Sequence, residues 1–385
     1  MTAWWVTARM LGNDCKNVSK TIRPGEEDER VQPPQHPTLV EVAAAAGVSV
    51  ASASRALSGA SASPKMVEAV RRAAAELGYV PDASARSLKV RRTEQFAFAV
   101  ADLGNPVYVA MMRAIEGVVR AAGYRLVVSA TGADPQMEVE VIRGINRGYA
   151  DGLIVSPIRI TDEVITEIRR ARVPVVVIGT LPASTGIDNV RTNSARGVGL
   201  AVAHLVDGGR RSIAFVNGPE DTVPGAARAK GFGKAMQAAG LPVADGQTIG
   251  AADFTHDAGD KATTDLLAGY RPDALICAND LLAIGALRAL RAAGLRVPDD
   301  VAVVGIDNTE LAELATPALT SVSLGSEERG RIAAAMLLDR LGERDRPPQR
   351  ASVSPRLVVR ASSDPVARPV PSTPSARSAR KRAAT

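Results

Sequence analysis

Residues 38–57 read Thr38-Leu39-Val40-Glu41-Val42-Ala43-Ala44-Ala45-Ala46-Gly47-Val48-Ser49-Val50-Ala51-Ser52-Ala53-Ser54-Arg55-Ala56-Leu57. Thr38 and Glu41 have the spacing of a capping box, in which each side chain reaches the other residue's unsatisfied backbone N–H, so a helix starts here. Gly47 ends it, and Ser49 caps a second helix at once. The turn between them is too short for anything but a sharp angle, which is helix-turn-helix geometry. The second helix, residues 49–57, carries small side chains at Val50, Ala51, Ser52, Ala53 and Ser54, with Arg55 one turn on. A helix this slim enters a major groove about 12 Å wide with its N-terminal residues against base edges. Ser49, Val50, Ala51, Ser52 and Arg55 are therefore the candidate DNA-contacting residues. Short Ala-rich helices joined by Gly turns also occur in bundles that bind no DNA, so this stretch alone leaves both readings open.

Outward from it, Ser63 and Pro64 open a third helix, because a proline is tolerated where the N–H needs no helical partner. Met66, Val67, Val70, Ala74 and Leu77 lie on one side of it and Arg71 and Arg72 mostly outward, until Gly78 stops it. Tyr79-Val80-Pro81-Asp82 then resets the backbone, and Asp82 can cap a short helix over 83–88 before the basic run Lys89, Arg91 and Arg92. Thr38-Leu39, Val42-Ala43, Ala46-Gly47-Val48-Ser49, Ser54-Arg55, Leu77-Gly78-Tyr79, Pro81 and residues 85–88 resemble the headpiece and hinge of the lac repressor family of bacterial transcription regulators. The resemblance implies that hinge helices of two subunits pair in the minor groove, with Ala85, Leu88 and Lys89 at the DNA. Leu88 would wedge into the central base step, an unstacking that costs roughly a few kcal/mol and is offset by wider contact. The plain alternative is a solvated linker whose Leu88 packs on its own domain.

At 385 residues, 46% of them hydrophobic, the chain exceeds one typical domain and can bury a large core. Aromatics make up only 3%, so Ala, Val, Leu and Ile must fill it. The formal net charge is +6, and its distribution is the informative part. Residues 37–93 carry eight positive and four negative side chains, residues 364–385 five and one, and residues 1–36 five of each, which leaves 94–363 slightly acidic. Basicity is confined to the proposed DNA-binding part and a tail, as a footprint on phosphates requires. The two cysteines, Cys15 and Cys277, make neither a disulfide framework nor a metal site, and they suit a reducing cytoplasm. Residues 1–10 lack the pattern of an export signal, and no stretch has the length of a membrane span. Residues 1–36 read as a disordered arm and 364–385 as a disordered basic tail. The arm departs from the family, whose proteins begin close to the first helix; a start codon placed too early would account for it.

From residue 94 the pattern changes to short apolar runs, at 96–101, 126–129, 152–156, 173–179, 213–217, 274–278 and 301–306, alternating with amphipathic stretches such as 109–122, 137–146, 195–206 and 281–293. Continuous apolar strands alternating with helices argue for parallel sheets covered on both faces, a doubly wound α/β architecture. Seven such units suit two lobes better than one. The fold class expected is thus α/β, with a small all-α headpiece (37–80), a hinge helix and linker (81–93), and a two-lobed core (94–363). Asp102-Leu103-Gly104-Asn105-Pro106-Val107-Tyr108, Asp151-Gly152-Leu153-Ile154, Gly218-Pro219, Arg228-Ala229-Lys230-Gly231-Phe232, Ala278-Asn279-Asp280 and Gly305-Ile306-Asp307-Asn308 resemble the effector-binding core of the same family, which is similar in fold to periplasmic sugar-binding proteins. The resemblance implies discontinuous lobes, about 94–189 with 326–350 and about 190–325 with 351–363.

Ligands of open α/β sheets bind beyond the carboxyl ends of strands, so residues just after the apolar runs are candidates: Asn105, Tyr108, Ser156, Asn279, Asp280 and Asp307. The resemblance adds Arg228 and Phe254. Asn105 and Asp280 could equally serve as helix caps. Gly179 and Leu324 depart from the family, which commonly has an aspartate and a glutamine there, so the effector should be less hydroxyl-rich than a simple hexose. No Gly-rich phosphate loop, His-Glu-x-x-His or Gly-x-Ser-x-Gly motif is present, and His36, His204 and His256 are isolated. An exported sugar-binding protein and a two-lobed enzyme with an accessory DNA-binding segment are the competing readings; the first lacks its export signal and the second its catalytic constellation. The expectation is a cytoplasmic homodimeric repressor, neither enzyme nor membrane protein and without cofactor, that binds a near-palindromic operator in double-stranded DNA and is released by a sugar or related metabolite.

Overall fold

Thr38 opens the first helix of the computed structural model in the way its spacing predicts. Its N–H donates to Glu41 Oε2 at 2.6 Å and its Oγ1 accepts from the Glu41 N–H at 3.4 Å, starting α1 (Leu39–Ala45). Gly47, at a φ of 65°, makes the left-handed turn that an L side chain resists. Ser49 then caps α2 (Val50–Leu57), whose axis is bent 100° from that of α1. Ser63 caps α3 (Pro64–Leu77), which Gly78 ends at a φ of 65°. Val42, Ala43, Ala53, Ala56, Val70, Ala73 and Ala74 form a small shared core. Leu77, expected on that apolar side, is instead exposed in the last turn of α3, beside the Gly78 cap.

The structure describes residues 37–59, 62–80 and 92–364. The expected arm, hinge helix with Ala85, Leu88 and Lys89, and the tail from residue 365 lie outside the described residues. The chain divides into two compact units between Asp82 and Ala83.

The larger unit runs through β1 (Gln95–Val100), α4 (Pro106–Ala121), β2 (Arg125–Ala130), α5 (Pro135–Gly144), β3 (Gly152–Ser156), α6 (Asp162–Arg169), β4 (Val175–Ile178) and β5 (Asp188–Thr192). It crosses into a second lobe with α7 (Ser194–Asp207), β6 (Ile213–Asn217), α8 (Val223–Ala238), β7 (Thr248–Gly250), α9 (His256–Gly269), β8 (Ala274–Cys277), α10 (Asp280–Ala292), β9 (Ala302–Ile306), α11 (Glu310–Leu314) and β10 (Thr320–Ser323). It returns to the first lobe for α12 (Ser326–Gly342) and β11 (Arg350–Val353), then crosses a third time to β12 (Arg356–Val358). Sheet order is β11-β5-β4-β3-β1-β2 in lobe 1 and β12-β10-β9-β8-β6-β7 in lobe 2. The described pairings are parallel except that of β12 with β10. The lobe boundaries expected at 189/190 and 350/351 are corrected by this register. β5 stays paired with β4 and β11 as far as Thr192, and β11 stays in lobe 1 as far as Val353, so the crossings fall at about 193 and 354.

Strand β1 explains why both faces of the sheet are covered. Successive side chains alternate, so Phe96, Phe98 and Val100 enter one core with α4 and α12, while Ala97 and Ala99 enter the other with α5 and α6. Each fully buried Phe or Ile contributes about 1.5–3 kcal/mol, and lobe 2 builds an equivalent core around Phe215, Phe232, Leu275 and Val304. The polar edge strand β5 is held differently. Asp188 accepts from Arg340 at 2.9 and 3.0 Å, from Arg346 at 2.8 and 3.2 Å, and from the Gln349 N–H at 2.6 Å. Burial opposes its ionisation, yet these donors keep the carboxyl below its usual range. At the start of β1, Asp151 accepts from the Thr93 N–H, the Thr93 hydroxyl and the Glu94 N–H at 2.8, 2.9 and 3.0 Å, which fixes the incoming chain to lobe 1.

Candidate functional sites: an exposed helix face and an interlobe cleft

In the small unit, Ala53 and Ala56 turn α2 inward and leave Ser49, Val50, Ala51 and Arg55 exposed, with Ser52 half-buried between them. Ser49 Oγ accepts from the Ser52 N–H at 3.2 Å, and Ser52 Oγ accepts from Arg55 Nη2 at 3.2 Å. The five residues expected to meet DNA thus form one continuous face whose guanidinium is already oriented along it. A methyl-rich surface with one forked donor can read thymine methyl groups and one guanine edge.

In the large unit, a cleft of about 870 Å³ lies between the lobes, walled by the carboxyl ends of strands from both sheets. Asn105, Tyr108, Ser156, Arg228, Phe254, Asn279 and Asp307 all line it. At its centre the buried Arg228 Nη2 lies 3.6 Å from Asp307 Oδ1. Asp307 takes a φ of 108°, a strained conformation for a side-chain-bearing residue that costs on the order of 1–3 kcal/mol and is held where neighbours over-determine it. Here its own N–H donates to the Val322 carbonyl at 2.8 Å and the Asn308 N–H to Ser321 Oγ at 2.9 Å. Burial raises the Asp307 carboxyl, and Arg228 and then Arg329 pull it back. Burial likewise raises the Tyr108 hydroxyl, with the Asp307 charge adding to it, so Tyr108 stays a neutral donor.

Phe254 lies with its ring centroid 6.0 Å from the Arg228 guanidinium carbon, within cation–π range. Gly218 makes this possible, because a Cβ there would overlap the ring. The two possible roles of the strand-end residues resolve individually. Asn105 caps α4 through the Val107 N–H at 3.1 Å and also lines the cleft. Asn279 caps α10 through the Leu282 N–H at 2.8 Å and donates to the Phe254 carbonyl at 2.9 Å. Ser156 Oγ donates to the Ile178 carbonyl at 3.2 Å.

Asp280 is a correction. Its carboxylate turns away from the cleft and accepts from the Thr309 N–H and hydroxyl at 2.7 and 2.9 Å and from the Ser321 hydroxyl. It braces the turn that presents Asp307 and is not a wall of the cleft. Burial, reinforced by the Asp307 charge, pushes its pKa up to about 7.

Sequence reasoning missed Arg329, Arg191 and Arg159. Arg329 follows Glu327 and Glu328 and precedes Arg331, a charge run that reads as a solvated helix face, yet it is only 8% exposed and lines the cleft. One flank of the cleft is tied shut between lobes. Arg159 donates to Asp221 at 2.7 and 3.1 Å, and the Val223 N–H donates to the Ile158 carbonyl at 2.8 Å. Gly179 and Leu324 line the walls without a polar side chain. Among the described residues no cluster of His, Cys, Asp and Glu could hold a metal ion, and no single helix is long and apolar enough to cross a membrane.

A helix-turn-helix unit joined to a two-lobed, hinged binding core defines a ligand-responsive DNA-binding regulator. Residues 38–82 match the description "Bacterial regulatory proteins, lacI family", and residues 202–363 match "Periplasmic binding protein-like domain". The HTH-type transcriptional regulator CelR of Thermobifida fusca is 36% identical over 339 residues, 85% of this chain and 98% of CelR. The ribose operon repressor of Escherichia coli (strain K12) is 34% identical over 329 residues, 84% of this chain and 99% of the repressor. Among solved structures, a CelR–cellobiose complex covers 85% of this chain and 100% of its own at 33% identity and a TM-score of 0.65. A lac repressor dimer bound to operator and the anti-inducer ONPF covers 85% and 99% at 27% identity and a TM-score of 0.75. The chain belongs to the LacI family of bacterial regulatory proteins. It is a ligand-responsive transcriptional regulator and not an enzyme.

Proposed function

We propose that the chain is a cytoplasmic repressor that binds a near-palindromic operator as a homodimer, reading bases through Ser49, Val50, Ala51, Ser52 and Arg55 of each headpiece and bending DNA with Leu88. Its effector, a sugar or related polar metabolite, occupies the interlobe cleft against Asn105, Tyr108, Ser156, Arg228, Phe254, Asn279 and Asp307, and releases the operator. The observation that carries this reading is that residues from both lobes wall one cleft. A ligand touching both lobes favours one lobe arrangement, and it shifts DNA affinity by its differential affinity for the two arrangements. Because Asp151 fixes Thr93 and Glu94 to lobe 1, movement of that lobe is passed to the chain entering from the headpiece. No metal or cofactor has a part in this scheme.

The test begins with operator sequences selected from random DNA, and then measures operator affinity with and without sugars, sugar acids and nucleosides that raise the melting temperature. Arg228→Ala and Asp307→Ala should retain operator binding and lose the ligand response. Full response in both variants would rule out this cleft as the effector site.

A further inference from the structure

Of the four arginines that line the cleft, Arg191 and Arg329 have no carboxylate in contact among the described residues. Arg159 is engaged by Asp221, and Arg228 faces Asp307 at 3.6 Å. The Arg329 guanidinium makes no hydrogen bond or ion pair to any described residue, and its buried Nε has no acceptor. Arg191, exposed on the lobe 1 wall, is likewise unpaired among the described residues. The other acids of the wall are committed elsewhere. Asp102 Oδ1 accepts from the Gly104 N–H at 2.8 Å, and Asp253 Oδ1 accepts from the Thr255 N–H and hydroxyl at 2.8 and 2.6 Å. Asp307 is therefore one carboxylate for two buried guanidiniums. Burial pulls the Arg329 guanidinium down to about 10 against the attraction of Asp307, and the like charge of Arg228 adds to the fall.

A buried guanidinium without a counter-charge is unfavourable, and an oxyanion restores it through two parallel charge-assisted hydrogen bonds to the guanidinium fork. Gly179, without a side chain, and the apolar Leu324 add no competing acceptor to the wall. We propose that the effector carries an anionic group, a carboxylate or a phosphate, seated on Arg329 with Arg191 as the second positive charge of the same cleft, while its hydroxyl-bearing part meets Asp307, Asn279 and the Phe254 ring. This rests on the reading of the cleft as the effector site, and it names the chemical class of the effector.

The experiment uses the full chain, thermal melting and calorimetry, and probes at matched ionic strength: sodium acetate and sodium phosphate against sodium chloride, then gluconate and glucose 6-phosphate against glucose. One oxyanion class should raise the melting temperature saturably, and the carboxylate and phosphate arms identify which. Arg329→Leu should weaken that binding at least about tenfold, an energy of about 1.4 kcal/mol. Arg329→Lys, which keeps the charge and the side-chain bulk but not the fork, should fall between, so that a Leu variant that fails to fold does not decide the result. The proposal is overturned if neither anion class acts beyond chloride, or if Arg329→Leu and Arg329→Lys bind the anions as the wild type does. Neutral glucose binding equally to wild type and Arg329→Lys, with release of operator, would refute the anionic class and leave the effector cleft standing. Failure of the wild type to bind any selected operator would strike the regulator reading instead.

Discussion

Replacing Asp307 by Asn removes a charge and little else. Asn tolerates positive φ as Asp does, so the backbone at 108° is retained while the carboxylate facing Arg228 is lost. At 3.6 Å and an effective dielectric of about 20, the Coulomb term between the two charges is about 4–5 kcal/mol. Both side chains are 7% exposed, so solvent screening takes away little of it. Breaking one side of a buried pair typically costs about 3–5 kcal/mol, because the remaining charge is left uncompensated. Here two guanidiniums lose the carboxylate that acts most strongly on both. With about 2–4 °C of melting temperature per kcal/mol for a domain of this size, Asp307→Asn should melt roughly 6–20 °C below the wild type in calorimetry. The double variant Asp307→Asn with Arg228→Met should recover part of the loss, since it removes the orphaned charge along with its partner. A single variant that melts within about 2 °C of the wild type, or a double variant less stable than the single, would refute the account of this pair.

Arg55→Ala should weaken operator binding by about 1–3 kcal/mol and relax sequence preference at one position, as read by gel shift against a randomised half-site; unchanged preference would remove Arg55 from the base contacts. Gly179→Asp has room, the nearest side-chain atom to a new Cβ being Val177 Cγ1 at 3.6 Å, and the added carboxylate should lower the affinity for anionic probes roughly tenfold in calorimetry; equal affinity would mean that Gly179 is remote from the bound ligand. Glu138 is buried, and burial pushes its carboxyl from the ordinary 4.5 up to about 7. The folded state therefore holds a proton that the unfolded chain releases, so this group's contribution to stability falls as pH rises from 4.5 to about 7 and is level above that. Glu138→Gln should flatten that slope in urea unfolding at pH 5 and 8; the same slope in both proteins would show that another group titrates.

Much of the headpiece was legible because its determinants are local. Thr38 with Glu41, Ser49, Ser63 and Gly78 set helix ends through contacts within a few residues, and the structure keeps each of them. The seven strands that read as apolar runs were legible because all but the half-exposed edge strand β2 are buried on both faces. Strand β5 was not, since Asp188-Asn189-Val190-Arg191-Thr192 looks solvated and is buried by Arg340, Arg346 and Gln349, more than 150 residues away. Asp280 shows the limit at the cleft. A polar residue after a strand can face the ligand or the neighbouring turn, and only the position of Thr309 and Ser321 decides. Arg329 was hidden by its own neighbours Glu327, Glu328 and Arg331, which do face solvent. The Arg159–Asp221 tie had no local signal at all, its partners being 62 residues apart.

The interleaving of the lobes has a consequence for the chain as it leaves the ribosome. Lobe 1 has five of its six strands once residue 192 is made, but α12 and β11, which cover Phe96, Phe98, Ile154 and Val176 and complete the sheet edge, arrive only by residue 353. At bacterial elongation rates of about 5–20 residues per second that interval lasts roughly 8–30 s. Until α12 is made, the apolar face later covered by Ala333, Ala334 and Leu337 is open to other nascent chains, and by residue 323 lobe 2 has every strand but β12. The half of the core that is translated first thus stays open until most of the other half has been made, and the same helix that delivers Arg329 to the cleft is the one that ends the exposure.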